Sequence, residues 1–444
     1  MSSWASSTGL AVAEELVLEP ANGRALKGRL RAPGDKSISH RALLIAARAE
    51  GRSRIRGLSK GEDVRHTLDA VVALGAEVER AGDELYIDGG ASRLREPEAL
   101  VDVGNSGTGI RLLAGFVAAI DGLTVLQGDA SIGQRPMDRI AVPLRLMGAQ
   151  VDGRQGGRFP PLVVRGGHLK AIDYTLPVPS AQVKSSVLFA GLGAEGLTVV
   201  REHAPTRAHT EEMLAAAGAR IDVRSASSGS SVALQPGPLH ATTTDVPADP
   251  SQAAFWVVAA CITPGSDLLL EDVYVGRGRA GFIDVLLRMG ARLELLNQDP
   301  VRHTADIHVQ SGPLVATEVA GLEVASLIDE VPVLSVAAAF AEGATRFSDA
   351  KELRVKETDR VVTTVELLNA LGARAEPAPD GLTVIGNSGA HLQAGTVNSH
   401  GDHRIAMAGA VAALGARGAV TVRGWRATTT SYPGFEEDMQ RCLS

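Results

Sequence analysis

The strongest constraint on this chain is that it repeats itself. About every 70 to 80 residues an alanine-rich apolar helix pattern runs into a glycine or a glycine-containing turn and then into a short strand pattern, at Gly51, Gly122, Gly196, Gly265, Gly343 and Gly418, a period that marks a repeated supersecondary unit. A second series, Gly75, Gly148, Gly218, Gly290 and Gly372, runs out of phase with the first. Each of its members ends a Leu- or Ala-rich helical run and is followed by Ala. The first unit reads as a helix over 37–49, a strand over 53–57, a helix over 62–74 and two strands around Gly82-Asp83. The pattern predicts an α/β (α+β) chain in which one βαβαββ-like unit is used six times.

The sixth copy is incomplete, because after Gly418 the chain has one strand and one short helical segment before Ser444. A hairpin without a unit stands at the other end, where residues 15–19 and 26–31 flank Asn22-Gly23, a strong hairpin-turn signal. The expectation is that this N-terminal hairpin closes the last unit. Units four to six would then form a discontinuous domain of residues 1–33 plus 248–444, and units one to three an inserted domain of residues 34–247. Proline breaks the pattern near both crossings, at Ala32-Pro33 and Val246-Pro247.

A chain of 444 residues suits two domains better than one core. Its two cysteines, Cys261 and Cys442, fit a reducing compartment and no disulfide framework. The apolar runs 112–120 and 253–262 fall short of the ~20 residues that span a bilayer. Residues 1–13 have neither the basic start nor the apolar centre of a secretion signal. A cytoplasmic protein with no membrane partner is expected. The net charge of -7 argues against nonspecific nucleic-acid binding while allowing a local cationic pocket.

Such a pocket follows from where polar residues fall within the repeat. The first helix of each unit starts with Lys36-Ser37, Asn105-Ser106-Gly107-Thr108, Ser180-Ala181-Gln182, Asp249-Pro250-Ser251-Gln252, Asp329-Glu330 or Asp402-His403-Arg404. Asn105, Ser180 and Asp249 taken singly are ordinary N-caps. Lys36 and Arg404 are not, since a cation in the first turn opposes the helix dipole by ~0.3–1 kcal/mol. They make sense if an anion lies between them and the free helix N–H groups. The second helices begin near Asp63, Arg135, Arg207, Arg277 with Arg279, Lys356 and Thr430. Cations recur there in four units, and arginine's planar fork suits phosphate and carboxylate.

Taken in order, Gly34-Asp35-Lys36-Ser37-Ile38-Ser39-His40-Arg41, Gly104-Asn105-Ser106-Gly107-Thr108, Gln134-Arg135-Pro136-Met137, Leu353-Arg354-Val355-Lys356-Glu357-Thr358-Asp359-Arg360 and Asp402-His403-Arg404 closely resemble the 5-enolpyruvylshikimate-3-phosphate synthase family. The resemblance runs through the chain from about residue 15, and the order and spacing of the motifs make it specific. It implies a two-domain inside-out α/β barrel, three βαβαββ units per domain, closing on substrates in the cleft. It also implies transfer of the enolpyruvyl group of phosphoenolpyruvate to the 5-hydroxyl of shikimate 3-phosphate by addition and elimination, with no metal or organic cofactor and a monomeric enzyme.

By that resemblance Lys36, Ser37 and Arg41 contact both substrates, and Ser180, Ala181, Gln182 and Arg207 hold shikimate 3-phosphate. Asn105, Gly107 and Thr108 line the site. Arg135, Arg360 and Arg404 clamp phosphoenolpyruvate, with Lys356 bridging. Asp329 is expected as base toward the 5-hydroxyl, and Glu357 with Lys36 as the pair serving the methylene carbon. Without that context, Asp329 reads as a helix cap and Glu357 as a salt bridge to Arg354 or Arg360. A carboxylate among so many cations should be a weak acid donor unless it is desolvated.

Other motifs point elsewhere. Gly276-Arg277-Gly278-Arg279-Ala280-Gly281 has dinucleotide-binding spacing, with Glu294 where a ribose-binding acid would lie, but arginines fill the gaps where a pyrophosphate must approach backbone. Ser106 and Gly107 do not make a nucleophile elbow. His40, His209 and His403 lack metal-ligand spacing and read as hydrogen-bonded structural residues. The rival function is transfer of enolpyruvyl to UDP-N-acetylglucosamine. That sister enzyme usually carries a cysteine five residues before the loop arginine, where this chain has Ala130. A noncatalytic phosphate-binding protein on the same scaffold would have no need of Asp329 and Glu357. Thr430 stands where many members have lysine. It and Arg207-Ala208-His209-Thr210-Glu211 resemble a bacterial subgroup with some glyphosate-tolerant members, whereas Gly107 is the residue usual in sensitive enzymes.

Overall fold

The computed structural model describes residues 13–204, 206–226 and 229–444; the segment read above as lacking a secretion signal lies almost wholly outside them. Every unit forms a small sheet on which its two helices pack. In unit two the strand order is Val101–Asp102, Gly122–Gln127, Phe159–Gly166, Gln150–Gly153. The first pair is parallel and the others antiparallel, as a βαβαββ path requires, since parallel neighbours need a crossover helix. Units three and five repeat that order.

Units one and four exchange their first strands across the two crossings. Thr243–Asp245 pairs with Gly51–Arg56 in unit one, and Lys27–Leu30 pairs with Asp267–Tyr274 in unit four. The last sheet has three strands, Glu15–Leu18, Val420–Arg423 and Gly395–Asn398. The expected N-terminal hairpin does not form. Asn22 and Gly23 do turn the chain, with φ of 51° and 83°, but Glu15–Leu18 pairs with Val420–Arg423 and Lys27–Leu30 joins a different sheet. A two-residue turn sets only local direction, and an isolated two-stranded hairpin is marginal. Two short strands gain more from the open edges of two existing sheets than from each other.

The helix ends explain the second glycine series. Gly75, Gly148, Gly218, Gly290 and Gly372 all have φ between 77° and 108°. In each case the glycine N–H bonds three residues back and the following Ala N–H bonds five back, as in Gly75 to Val72 and Ala76 to Val71. This is the Schellman stop, which needs a left-handed residue and so favours glycine.

Two hydrophobic cores result. One gathers Leu26, Leu30 and Ala32 with residues from Ala248 to Cys442. The other gathers residues from Ile38 to Val246 and is joined by Tyr274. The first helices of the units lie innermost: every residue of Pro250–Ile262 and of Val331–Phe340 is buried, which is why these helices are apolar all round. Small residues let them touch. A Cβ on Gly115 would lie 2.0 Å from the Ser186 carbonyl of the neighbouring helix. Sheets on the outside and helices within make the inside-out barrel, and they aim the helix N-termini of both bodies at a common cleft.

Candidate active site

The chain turns into five of its six inner helices through a corner capped by a side chain, Val331–Phe340 being the exception. Asp35, Ser106, Ser180, Asp249 and Asp402 each accept a backbone N–H of the first turn. In unit two the cap is Ser106, so Gly107 and Thr108 open the helix while Asn105 stands outside it. Capping in this way leaves the next residues, Lys36, Gly107, Gln182 and Arg404, free to point into the cleft.

One cavity between the bodies is lined by Lys36, Ser37, Gly107, Thr108, Arg135, Ser180, Gln182, Arg207, Asp329, Lys356, Glu357, Arg360 and Arg404. The second-helix positions meet there as well: Asp63, Arg135, Arg207, Arg279 and Lys356 all face it, and Thr430 lies with Asp63 in an adjoining cavity. Three expected residues do not line it. Arg41 is buried, donating to Thr210 Oγ1 at 2.7 Å, Ser185 Oγ at 2.7 Å and the Ser37 carbonyl at 2.9 Å, so it props Ser37 from behind. Asn105 lies in the adjoining cavity and donates to Asp129 Oδ2 at 2.7 Å. Ala181 occupies the first position of its helix but is not in the cavity wall. Its short side chain cannot reach past Ser180 and Gln182.

Asp329 sits at the centre of the charges. Arg207 Nη2, Lys356 Nζ and Arg360 Nη1 each lie 3.1 Å from its carboxylate, and Arg404 donates to its backbone carbonyl at 2.8 Å. It caps no helix through its side chain; the residue at the cap of Val331–Phe340 is Glu330. Glu357 bonds Arg360 at 2.5 Å and Arg135 at 3.3 Å, while Arg354 pairs with Asp359 instead. Burial pushes both carboxyls toward the neutral form, but the surrounding cations more than offset it, Lys356, Arg404, Arg207 and Arg360 for Asp329 and Arg360 and Arg135 for Glu357. Both are held well below the usual carboxylate range. Desolvation therefore does not make Glu357 an acid in this state, because the cations around it outweigh its burial.

Lys36 Nζ lies 3.0 Å from Asp63 Oδ2. Burial lifts the Asp63 carboxyl, with Lys36 pulling the other way. Ion pairs also cross the cleft between the bodies, Arg207 with Asp329, Arg135 with Glu357, and Arg139 with Glu352 at 3.0 Å.

Sequence reasoning missed Arg111, Arg139 and Glu352 as cavity residues, while Ser251 and His403, from the expected helix starts, do line it. Arg111 was legible in principle, since it follows Gly107 by one helical turn and so shares its face. Its guanidinium donates to the Gly107 carbonyl at 2.9 Å and to Gln182 Oε1 at 3.1 Å, while Gln182 Nε2 donates to Thr108 Oγ1 at 2.9 Å. Burial, helped by Arg135 and Arg139, pushes the Arg111 group down to about 10.

The histidines only partly match expectation. His40 bonds Thr67 Oγ1 at 2.7 Å, but among the described residues neither ring nitrogen of His209 and not Nε2 of His403 has a partner. Burial first and then neighbouring cations hold all three well below 6.5, so neutral rings avoid adding charge to a crowded cationic region. The dinucleotide-like spacing is spent on structure: Arg279 folds inward onto Asp35 and Asp249, across the corner a pyrophosphate would need.

Comparison with known proteins agrees with this geometry. Residues 20–439 match the family model described as EPSP synthase (3-phosphoshikimate 1-carboxyvinyltransferase). A 3-phosphoshikimate 1-carboxyvinyltransferase of Lactococcus lactis subsp. cremoris is 45% identical over 425 residues, covering 95% of this chain and 98% of that protein. Its Bacillus cereus (strain 03BB102) counterpart is 46% identical over 432 residues, covering 96% and 99%. Among solved structures, EPSP synthase from Acinetobacter baumannii superposes with a TM-score of 0.85 at 41% identity, covering 97% of this chain and 98% of that one. The enolpyruvyl transferase NikO from Streptomyces tendae shares the fold at 0.75 and 19% identity, again over 97% and 98%. With its six units, its two cores and the motif residues gathered in one cleft, the chain belongs to the EPSP synthase (3-phosphoshikimate 1-carboxyvinyltransferase) family.

Proposed function

We infer that the cleft carries out the reaction of its family, transfer of the enolpyruvyl group of phosphoenolpyruvate to the 5-hydroxyl of shikimate 3-phosphate with release of phosphate, and that its residues divide the work as follows. Asp329 takes the hydroxyl proton as the oxygen attacks the central carbon, while Lys36 and Glu357 deliver a proton to the methylene carbon. Phosphate then leaves, taking up the proton that Asp329 had received, as a methyl proton returns to the same pair. Arg135, Arg360 and Arg404 hold the phosphate and carboxylate of phosphoenolpyruvate. Ser37, Ser180, Gln182, Arg207 and Lys356 hold shikimate 3-phosphate, with Arg41 behind Ser37. Residues 13–33 with 248–444 and residues 34–247 act as two bodies that close on the substrates.

The observation that carries this reading is that Asp329 and Glu357 share their cations with the anion sites. Lys356, Arg404, Arg207 and Arg360 for Asp329, and Arg360 and Arg135 for Glu357, are the main groups that keep the two carboxyls ionised. When the substrates' anionic groups take over those cations, both carboxylates become better bases, and Glu357 gains the proton affinity that acid work needs. A binding protein without chemistry has no use for this arrangement.

The test is phosphate release from phosphoenolpyruvate with shikimate 3-phosphate and, separately, with UDP-N-acetylglucosamine. Release with the first acceptor only is expected, and release with the second alone would overturn the reading. Ala130 is exposed, so no thiol stands on that loop to serve the rival reaction. Asp329→Ala is expected to lower kcat by roughly 10²-fold or more, and full turnover would remove Asp329 as the base. Glyphosate is expected to compete with phosphoenolpyruvate; unaffected phosphate release at large excess would place the chain among tolerant enzymes.

A further inference from the structure

Arg279 is a deeply buried cation of the cleft, 2% exposed, and the reaction as assigned above gives it no task. Its Nη2 lies 2.7 Å from Asp35 Oδ2 and 2.8 Å from Asp249 Oδ1, and its Nη1 donates to Ser251 Oγ at 3.1 Å. Burial alone would disfavour its charge, but Asp35, Asp249 and Glu330 hold it above the ordinary arginine value.

The partners lie on both sides of the hinge. Asp35 and Asp249 each follow a crossing, and the two crossings pair with each other: Asp35 N–H donates to the Pro247 carbonyl and Asp249 N–H to the Pro33 carbonyl, both at 2.8 Å. Asp35 Oδ1 caps the helix Lys36–Arg48 through the Ile38 N–H at 2.8 Å. Asp249 caps Pro250–Ile262 and also accepts the Lys36 N–H at 3.0 Å. On the other side, the Glu330 carboxyl lies near enough to help hold the Arg279 charge, Glu330 Oε1 lies 3.4 Å from Arg404 Nη1, and that same Nη1 donates to the Asp329 carbonyl at 2.8 Å. Buried polar groups thus gather at the starts of four inner helices, and among them Arg279 alone bonds both hinge caps.

We propose that Arg279 is a positioning residue: it clamps the two crossings so that Lys36, from one body, and Asp329 with Arg404, from the other, meet at the spacing the reaction needs. The proposal rests on the functional reading above for its kinetic consequence. Its structural consequence stands independently. A lysine keeps the charge but cannot fork to Asp35, Asp249 and Ser251 together, so Arg279→Lys separates geometry from charge.

The experiment compares the parent chain, Arg279→Lys, Glu330→Gln, the double variant and, as control, Arg277→Lys, which is exposed on the same loop and does not line the cavity. Amide hydrogen exchange is read at Lys36, Ile38 and Ser251, whose N–H groups bond the clamped caps. Arg279→Lys is expected to speed exchange there at least tenfold and to leave Ile110 unchanged. It is also expected to lower kcat tenfold or more with a smaller change in KM. The double variant should lose less than the product of the two single losses, as coupled groups do, and Arg277→Lys should behave as the parent. Unchanged exchange at Lys36 overturns the proposal whatever the activity, as do kcat and KM within twofold of the parent or strictly multiplicative losses. A parent inactive with phosphoenolpyruvate and shikimate 3-phosphate would instead overturn the functional reading, and exchange would still decide the clamp. Should Arg279→Lys not fold, Ser251→Ala removes the third acceptor of the clamp, the Ser251 hydroxyl that takes Arg279 Nη1. A fall in kcat is then expected, and unchanged turnover overturns the proposal.

Discussion

Glu357 and Gly107 show how single residues set the cleft's chemistry. Glu357 binds Arg135 and Arg360, the arginines that the proposed reaction assigns to phosphoenolpyruvate, so Glu357→Gln should free those arginines and yet cost turnover. The expected result is kcat lower by on the order of 10²-fold with little loss of phosphoenolpyruvate binding, checked by steady-state kinetics with shikimate 3-phosphate saturating. At Gly107 an added Cβ would lie 2.5 Å from Arg135 Nη1 and 3.0 Å from Arg111 Nη1. Both are tips of flexible side chains, so the fold tolerates the methyl and the arginines move aside. Gly107→Ala should therefore raise the KM for phosphoenolpyruvate about tenfold, roughly 1.4 kcal/mol, with melting temperature nearly unchanged. Lys36 and Arg135 stand out in the amino-acid sequence because cations recur at helix starts, where a cation is anomalous, whereas Glu357 is singled out only by the family motif and otherwise reads as a salt bridge. The partners of Arg111 and Ser251 do not stand out, because Gln182 and Arg279 come from other elements of the chain.

Helices stop and start by local rules, which made the elements legible. The Schellman corner recurs because a left-handed residue is needed after each second helix, and Gly290 shows this free of other contacts: a Cβ there would meet only the Pro313 carbonyl at 3.7 Å. Gly290→Ala is expected to cost about 1–2 kcal/mol through backbone conformation alone, read as a lower urea midpoint with activity intact. The inner helices make the opposite point. In Pro250–Ile262, burial on all sides pushes the Cys261 thiol up to about 12, so native protein at pH 8 should leave that cysteine unlabelled by iodoacetamide while unfolded protein is labelled. The N-terminal strands were read as a hairpin because Asn22-Gly23 signals a turn, yet the partners of Glu15–Leu18 and Lys27–Leu30 lie hundreds of residues away. No local signal specifies such partners.

At the scale of the molecule, crowding cations around buried rings ties stability to pH. His40, His209 and His403 are held neutral well below 6.5, whereas the unfolded chain binds protons near that value. Folding stability is thus fully present above about pH 6.5 and is lost as pH falls below it, by at most ~1.4 kcal/mol per pH unit for each ring. Asp63 and Glu330, whose carboxyls are raised, act with the opposite sign only nearer the ordinary carboxylate range. Urea midpoints should fall between pH 7.5 and 5.5, and His209→Asn should flatten that slope. The repeat, the helix and strand order, the two crossings and the family motifs were all properties of the sequence alone, because each rests on periodicity or on a residue's own conformational preference. Which carboxylate faces which cation, why Arg41 props rather than lines the cleft, how the N-terminal strands divide between sheets and what Arg279 clamps were decided only by the tertiary structure. Those contacts join residues from different units, and the free energy of a buried charge depends on every neighbour that the closed fold brings within a few ångströms.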